Sequence, residues 1–376
     1  MLYKLKDIFD LQMGKTPSRN NIEYWNTNDY KWVSIADLTK TDKYIYDTKE
    51  YLSKKAVNES GIKIIPANTV IMSFKLSIGK TAITAEDMYS NEAIMAFHDK
   101  HIVEILPEYI FYLFKYKNWD DGSNKAVMGK TLNKAILSEV EIDICSIEEQ
   151  RKIVNVLDKI MNLISARKKE LSYLDTFTKA RFVEMFGNPE ANEKEWKMNT
   201  FGDICTVRQG LQIPISKRLT QYEDDCYEYI TVQYLHGGKE REYIKSPKTS
   251  VICTQNDILM TRTGNTGMVV TGVDGVFHNN FFLIDFDRNK YDKDFLVQYL
   301  KLDIIQADIL RRAGTSTIPD LNHSDFYKIK IFEPPIELQK QFTELITQVD
   351  KSKSAVKKAL DETQLLFDSL MQEYFG

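Results

Sequence analysis

Two stretches of the chain carry apolar side chains at heptad spacing. In the first, positions taken alternately four and three residues apart run from Ile153 to Met185, and seven of the ten are apolar. In the second they run from Phe342 to Tyr374, and eight of the ten are apolar. A seam sustained over several heptads is typical of coiled-coil helices. The pattern predicts two long helices that pair with each other, and leaves open two amphipathic helices that each pack on their own domain.

Local signals set the predicted ends of these helices. Ser146 stands three residues before Glu149, as in a capping box. The segment Gly187-Asn188-Pro189 is typical of a helix C-terminus, with glycine just past the last turn and proline beyond. The pair Pro334-Pro335 suits the first turn of the second helix. We therefore predict helices over residues 146–187 and 335–376.

The sequence also contains an internal repeat, which decides the domain organisation. Residues 68–75 match residues 256–263 at a separation of 188, and the later matches keep a separation of 189 to the end of the chain. A chance likeness would not hold its register over so many residues. The matched pairs are Asp7-Ile8 with Asp203-Ile204, Gly14 with Gly210, Gly79 with Gly267, Asn91 with Asn279, Leu132-Asn133 with Leu321-Asn322, Ile147-Glu148-Glu149-Gln150 with Ile336-Glu337-Leu338-Gln339, and Glu184-Met185-Phe186-Gly187 with Glu373-Tyr374-Phe375-Gly376.

Each half has a mixed region ahead of its helix. Short β-type runs such as residues 69–74 and 257–262 are broken by Gly, Asn and Asp turns. The predicted fold class is α+β: two tandem-repeated α/β domains, residues 1–145 and 188–334, separated by a pair of long antiparallel coiled-coil helices with pseudo-two-fold symmetry. A chain of 376 residues is long enough for two such domains.

Composition limits the class of protein. No window approaches 18 unbroken apolar residues, and charges interrupt the start of the chain, so we expect neither a membrane span nor a signal peptide. The four cysteines are scattered, which favours reduced thiols in a cytoplasmic protein. The net charge of −4 has the wrong sign for a simple DNA-binding domain. DNA binding would therefore need local basic patches or a partner that contributes phosphate contacts.

Motifs for catalysis are missing from the sequence. Gly79-Lys80-Thr81 and Gly129-Lys130-Thr131 resemble the end of a phosphate-binding loop, but Phe74 and Asn124 stand where its first glycine belongs. The five histidines have no zinc-site spacing. Glu333-Pro334-Pro335-Ile336 only loosely resembles the Asn-Pro-Pro-aromatic loop of amino-methyltransferases, and no glycine-rich cofactor loop precedes it. We expect no catalytic residues, no metal and no cofactor in this chain.

A duplicated domain held at fixed spacing suits the reading of a split DNA site. Equivalent major-groove faces recur about every 10–10.5 base pairs, roughly 34–36 Å. Two domains that share a scaffold but differ in their other residues can read two different half-sites. The architecture therefore predicts recognition of an asymmetric bipartite sequence.

Several segments resemble the specificity subunit of type I restriction–modification systems, and the resemblance covers essentially the whole chain. One departure is Cys145-Ser146, where the family usually has a proline pair. The resemblance implies a non-catalytic subunit that reads double-stranded DNA and docks two methyltransferase subunits, with restriction translocase subunits in the full complex. It places S-adenosylmethionine and ATP only on those partners. The segments are Ile147-Glu148-Glu149-Gln150-Arg151-Lys152-Ile153, Glu333-Pro334-Pro335-Ile336-Glu337-Leu338-Gln339, residues 259–267, and the Leu-Asn pairs before each helix.

Candidate DNA contacts are the polar and basic residues on turns that the repeat aligns. Arginine can donate two hydrogen bonds to guanine, and glycine lets a backbone approach phosphate. We expect Trp25, Trp32 and Tyr30 to be core residues. The candidates are Lys15, Thr16, Arg19, Gln209, Gln212 and Lys217 near the domain starts; Lys75, Ser77, Lys80, Arg262, Asn265 and Thr266 on the central turns; and Lys125, Lys130, Thr131, Arg311, Arg312, Thr315 and Ser316 before the helices.

Two other functions stay open at this point. One is a DNA methyltransferase with its own recognition domain, which the missing cofactor motif disfavours. The other is a coiled-coil scaffold or decoy that binds the methyltransferase without reading DNA, which the acidic net charge permits.

Overall fold

The chain divides into two compact units in the computed structural model. Unit 1 comprises Met1–Arg167 and Ala359–Gly376, and unit 2 comprises Lys168–Lys358. The structure describes residues 1–75, 77–119, 132–235, 237, 240–314 and 319–376, and for Asn26 the backbone alone. Each unit therefore contains one mixed domain and one part of each long helix.

The described elements alternate between short strands and helices. The strands are β1 (Leu2–Lys4), β2 (Phe9–Met13), β3 (Trp25–Val33), β4 (Tyr44–Ile45), β5 (Glu50–Leu52), β6 (Val70–Ser73), β7 (Thr81–Thr84), β8 (Tyr89–Ser90), β9 (Ile94–Asp99), β10 (Glu141–Asp143), β11 (Lys197–Thr200), β12 (Cys205–Gln209), β13 (Cys226–Ile230), β14 (Tyr243–Lys245), β15 (Ile252–Cys253), β16 (Ile258–Thr261), β17 (Val269–Val270), β18 (Gly275–Phe277), β19 (Phe281–Phe286) and β20 (Lys330–Glu333). The helices are α1 (Leu5–Ile8), α2 (Ile35–Lys40), α3 (Lys54–Ser60), α4 (Pro107–Tyr116), α5 (Lys134–Glu139), α6 (Ile147–Phe186), α7 (Phe201–Ile204), α8 (Val232–Leu235), α9 (Lys293–Lys301), α10 (Asp303–Ala313), α11 (His323–Tyr327) and α12 (Ile336–Phe375).

The central sheets of the two units share one order of four strands, to which unit 1 adds β4 at one edge. The central sheet of unit 1 has the order β2-β9-β6-β7-β4, and that of unit 2 has the order β12-β19-β16-β17. Each unit has a second sheet, with the order β5-β3-β8 in unit 1 and β14-β13-β18-β15 in unit 2. The pairs β1–β10 and β11–β20 join the start of each domain to the strand before its long helix. The sequence repeat is therefore a repeat of structure, and each domain is a mixture of helix and strand as predicted.

Both long helices have 40 residues and end close to the predicted positions. At the start of α6, the Glu149 N–H donates to Ser146 Oγ over 3.3 Å. Pro335 lies one residue before α12 rather than in its first turn, and its carbonyl accepts from the N–H of Leu338 over 3.0 Å. Gly187 ends α6 with φ of +85°, a conformation that glycine adopts readily.

The heptad seam of each helix is covered along its whole length: every seam position is buried or half-buried. In unit 1, Arg167 Nη1 donates to the carbonyl of Ala359. In unit 2, Lys353 Nζ lies 2.7 Å from Asp175 Oδ1, and the Phe342 ring lies 5.4 Å from that of Phe182. Within each unit, the two helices thus contact each other. The core of unit 1 further joins Ile153, Leu157, Ile160 and Ile164 of α6 with Phe367 and Met371 of α12.

A buried glutamine attaches each long helix to its domain. Gln150 is fully buried; its Oε1 accepts from the Leu106 N–H over 2.9 Å, and its Nε2 donates to the carbonyls of Glu104 and Cys145 over 3.0 Å each. Gln339 is also fully buried and repeats the arrangement. Its Oε1 accepts from the Asp292 N–H over 2.8 Å, and its Nε2 donates to the carbonyls of Lys290 and Pro334 over 2.9 and 2.8 Å. The repeated glutamine therefore satisfies the same kind of backbone N–H and carbonyl groups in both units.

Other repeated residues are also part of the scaffold. Asn133 and Asn322 cap α5 and α11, each accepting from a backbone N–H three residues on over 2.9 Å. At Gly210 a Cβ would lie 2.3 Å from the carbonyl oxygens of Phe277 and His278. At Gly14 it would lie 2.2 Å from the carbonyl oxygen of Asn91. The repeat preserves glycine where two backbones approach too closely for any side chain.

Candidate nucleic-acid interface

The turns after β6 and β16 share one backbone arrangement. The Gly79 N–H donates to the Ser73 carbonyl over 2.9 Å, and the Gly267 N–H donates to the Thr261 carbonyl over 2.8 Å. The N–H of Lys80, the residue after Gly79, donates to the Ser73 hydroxyl oxygen over 3.1 Å. In the second domain the N–H of Met268, the residue after Gly267, donates to the Thr261 hydroxyl oxygen over 2.9 Å. Both glycines have φ between +84° and +89°. The two domains thus present different side chains from the same turn.

In the first domain, this turn offers exposed polar groups. Lys80 and Ser77 are exposed, and within the described residues the ammonium of Lys80 makes no hydrogen bond or ion pair. Lys75 is half-buried, with its Nζ 5.3 Å from the centre of the Phe74 ring. Phe74 itself is buried and occupies the position that the repeat aligns with Arg262.

In the second domain, the same turn carries an arginine held by a carboxylate. Arg262 Nε lies 3.1 Å from Asp320 Oδ1, and Nη2 lies 2.8 Å from Oδ2. Asn265 is exposed, whereas Thr266 is buried with its hydroxyl 2.8 Å from the Pro319 carbonyl oxygen. Burial, and after it the charge of Arg262, lower the pKa of the neighbouring His323. This turn therefore combines one accessible amide with a fixed positive charge.

The candidates near the start of the first domain already have partners in the chain. Lys15 Nζ donates to the Ser60 carbonyl, and the Thr16 hydroxyl donates to the Glu92 carboxylate. The Arg19 guanidinium pairs with the Glu50 carboxylate, and its Nη2 donates to Oε2 over 3.1 Å. The guanidinium carbon also lies 3.8 Å from the centre of the Trp25 ring. All three side chains are therefore already engaged within the first domain.

The corresponding candidates of the second domain are less engaged. Gln209, Gln212 and Lys217 are all exposed, and their side chains make no hydrogen bond or ion pair to any described residue. Gln209 ends β12 and the other two lie in the segment before β13. These three side chains are available to an external ligand without loss of an internal contact.

Of the candidates before the long helices, the structure describes two. Arg311 and Arg312 lie in the last turn of α10, and both pair with Asp308; Arg312 Nε lies 2.8 Å from its Oδ2. Burial raises the pKa of the Asp308 carboxyl, but the hydrogen bonds from the two arginines outweigh this and leave the pKa below its ordinary value. The other candidates of this group, Lys125, Lys130, Thr131, Thr315 and Ser316, lie outside the described residues.

The aromatic cluster of the first domain is mostly core. Trp25 and Trp32 are buried, with ring centres 5.0 Å apart in an edge-to-face arrangement. The expectation that Tyr30 is also core was wrong, because its side chain is 36% exposed. The pairing of β3 with β5 shifts register between Trp25 and Tyr30, and such an irregularity re-aims the side chains near it. Tyr30 instead rests edge-on against Tyr89 at 5.7 Å.

Sequence reasoning missed the acidic partners of the arginines. Asp320 is 58 residues from Arg262 along the chain, and Glu50 is 31 residues from Arg19. Neither pair has a spacing that a helix or hairpin pattern would indicate. Within the described part of the chain there is no group of three or more His, Cys, Asp or Glu side chains placed to hold a metal ion. None of the described helices has both the length and the apolar character that a membrane crossing requires.

Comparison with known proteins identifies relatives for both halves. The family model described as the type I restriction modification DNA specificity domain matches residues 1–173 and again 193–363. The MjaIX type I restriction enzyme specificity subunit of Methanocaldococcus jannaschii is 26% identical over 377 aligned residues, which cover 91% of this chain and 85% of that protein. The EcoprrI specificity subunit of Escherichia coli is 24% identical, with coverage of 64% and 62%.

A solved structure shows the same fold. The S subunit of the type I restriction–modification system of M. genitalium superimposes with a TM-score of 0.59 at 16% identity, covering 100% of this chain and 96% of that one. Since the family model matches most of the sequence in two consecutive copies, the chain belongs to the type I restriction modification DNA specificity domain family.

Proposed function

We propose that this chain is the DNA-reading subunit of a type I restriction–modification enzyme, with one half of an asymmetric bipartite site read by each domain. The observation that carries the proposal is the shared turn after β6 and β16. Two hydrogen bonds close this turn in the same way in both domains, yet it carries Phe74 in one and Arg262 in the other. A common scaffold whose side chains differ in charge and in hydrogen-bond donors is what two different half-sites require.

The proposed spacer between the two readers is an antiparallel coiled coil of α6 and α12, related by a pseudo-two-fold axis. Equivalent contacts at the helix ends support it. In unit 2, the Phe186 ring lies 4.8 Å from Phe295, and in unit 1 the Phe375 ring lies 5.5 Å from Tyr109. The proposed recognition domains are residues 1–145 and 188–334, and the proposed spacer helices are residues 146–187 and 335–376.

The proposed partners are double-stranded DNA, two methyltransferase subunits and, in a complete enzyme, restriction translocase subunits, all acting in the cytoplasm. We propose that this subunit catalyses no step, and that S-adenosylmethionine and ATP bind only to its partners. Support comes from the family and from the relatives, which are named specificity subunits of type I restriction enzymes. An isolated chain that bound S-adenosylmethionine stoichiometrically in a calorimeter would contradict this and favour a methyltransferase.

The proposed DNA contacts are the candidate residues identified in the sequence. Those with exposed side chains and no internal partner among the described residues (Lys80, Gln209, Gln212 and Lys217) can bind without rearrangement. Because Glu50 and Asp308 offset the positive charge of the arginines that they pair with, we expect Arg19, Arg311 and Arg312 to contribute less to phosphate binding. Because the net charge of the whole chain is acidic, we propose that phosphate contacts come from local groups of this kind and from the methyltransferase.

Binding by the assembled complex tests the proposal. The chain and its methyltransferase subunit would be co-purified, and a pool of random-sequence duplexes would be selected on the complex and sequenced. We expect enrichment of one split motif, with affinity that falls as salt rises. The methyltransferase subunit alone is the matched control. Enrichment of no motif by a complex that is stably assembled would contradict DNA reading and favour the scaffold.

A further inference from the structure

The turn that follows β16 is fixed to a segment near residue 320 by several hydrogen bonds. The Leu321 N–H donates to the Arg262 carbonyl over 2.9 Å, and the Thr263 hydroxyl donates to Asp320 Oδ1 over 2.8 Å. The Thr266 hydroxyl lies 2.8 Å from the Pro319 carbonyl oxygen. The backbone from Arg262 to Thr266 is therefore held against residues 319–321.

The carboxylate of Asp320 holds the Arg262 guanidinium from one edge. Oδ1 lies 3.1 Å from Nε and Oδ2 lies 2.8 Å from Nη2. Burial raises the pKa of Asp320, but hydrogen bonds from Thr263 and Arg262 outweigh burial and leave the pKa below its ordinary value. The carboxylate is thus ionised at neutral pH, and both bonds are between charged groups, which makes them stronger than neutral ones.

Among the described residues, this geometry leaves the outer edge of the guanidinium without a hydrogen-bond partner. An arginine has five N–H donors in a fixed plane, and Asp320 uses one on Nε and one on Nη2. The remaining donors are the two on Nη1 and the second on Nη2. One from each nitrogen forms a parallel pair, which matches O6 and N7 of guanine or two oxygens of one phosphate. The Arg262 side chain is 21% exposed, beside the exposed residues Gly264 and Asn265.

The first domain has no equivalent of this arginine. Phe74 occupies the aligned position and is buried, so it offers neither charge nor donor. A contact made through Arg262 therefore belongs to one half-site alone.

We propose that Asp320 is a positioning residue that holds Arg262 edge-on, so that the outer N–H pair of Arg262 binds a guanine edge or a backbone phosphate in the second half-site. The inference rests on the proposed function, since it assigns a contact within the DNA-reading surface. A fixed arginine loses less freedom on binding than a mobile one, and its direction of approach is set before DNA arrives.

Affinity measurements on variants of the complete complex test this inference. The variants are Arg262→Gln, Asp320→Asn, the double variant, and Arg288→Gln as the matched control, because Arg288 also pairs with an aspartate of this domain. We expect Arg262→Gln to weaken binding of the cognate duplex about tenfold or more, the range of one lost bidentate contact. Asp320→Asn should weaken binding less, and should add nothing in the Arg262→Gln background, because it acts through that arginine. Arg288→Gln should stay within about twofold, the range of a surface substitution.

The same measurements distinguish the two acceptors. If the acceptor is guanine, Arg262→Gln no longer weakens binding to duplexes in which the G·C base pair that Arg262 contacts in the second half-site is replaced. If it is phosphate, every duplex is weakened alike and the slope of log affinity against log salt decreases by about one.

Two results would overturn the inference: an Arg262→Gln complex that binds like Arg288→Gln, or an Asp320→Asn effect that is as large without Arg262 as with it. A purely structural pair would change the melting temperature but neither the base preference nor the salt slope. A wild-type complex that shows no sequence preference would instead refute the proposed function itself, which separates the two failures.

Discussion

The replacement Gln339→Leu should weaken the attachment of α12 to the second domain. The change keeps the approximate volume of the side chain but removes its three hydrogen bonds, which are 2.8–2.9 Å long. Because the site is fully buried, water does not replace them. A buried N–H or carbonyl left unsatisfied costs about 1–3 kcal/mol. The expected loss is therefore about 3–5 kcal/mol, large for a single substitution.

Hydrogen exchange read peptide by peptide is the suitable assay, because a chain of two units does not unfold in a single two-state step. We expect amides of residues 290–300 and 336–346 to exchange about 10²- to 4 × 10³-fold faster, the equivalent of the lost free energy at 1.4 kcal/mol per tenfold. Amides of residues 100–112 and 147–155, which surround the equivalent Gln150, should keep their protection. The variant Gln150→Leu should give the reverse pattern.

The matched control is Gln348→Leu, an exposed glutamine on the same helix, which should change exchange little. Equal exchange in the Gln339→Leu and Gln348→Leu chains would refute the reasoning, since it would mean that the three bonds contribute nothing net. Loss of protection in both units alike would refute it too, because the bonds lie within unit 2.

Three further predictions concern stability and reactivity. Gly210→Ala places a Cβ 2.3 Å from two carbonyl oxygens, so it should destabilise unit 2 by about 3 kcal/mol. Gly272→Ala should destabilise it less, because Gly272 has a positive φ but open space around it, and urea denaturation compares the two variants. Burial, and after it a nearby arginine charge, lower the pKa of His323 from 6.5, so the unfolded chain binds a proton that the folded chain does not. Stability should therefore fall as pH drops from about 7 to 5.5, with a smaller fall in His323→Asn; equal falls would contradict the assignment. Burial raises the pKa of Cys205 and Cys253 to about 12, so a thiolate-selective reagent at about pH 8 should label them only after unfolding, which mass spectrometry checks.

The long helices could be predicted from the sequence because their signals are local and repeated. A heptad pattern is legible without knowing the partner, and capping residues such as Ser146 and Gly187 mark the ends within a residue. The internal repeat likewise indicated that both domains share one fold. The sequence shows that both halves repeat a glutamine in the Glu-x-Gln segment. It does not show that this glutamine is buried and bonded to backbone groups of its domain.

The strand order could not be predicted, because the pairing joins distant residues. Leu2 of β1 lies opposite Asp143 of β10, and Lys197 of β11 lies opposite Glu333 of β20. No local pattern specifies such partners.

The same reason limited the prediction of the site. The sequence identified the turn that carries Arg262, since glycine and the repeat mark it, but not the carboxylate of Asp320 that holds its side chain. It also grouped Arg19 with free basic residues, although Glu50 and the Trp25 ring already engage it. The charged residues can be counted from the sequence, but the residues with which they pair depend on the fold.

A methylation map with exchanged domains tests the central claim most directly. The chain would be co-expressed with its methyltransferase subunit in a host without DNA methylation, and modified bases would be read by direct sequencing. A second strain would carry residues 1–145 of a relative in place of the same residues here. The account predicts a split, asymmetric motif that requires this chain, and a chimera that changes one half of the motif and leaves the other and their spacing intact. Methylation that is independent of the chain, or a chimera that alters both halves together, would contradict it.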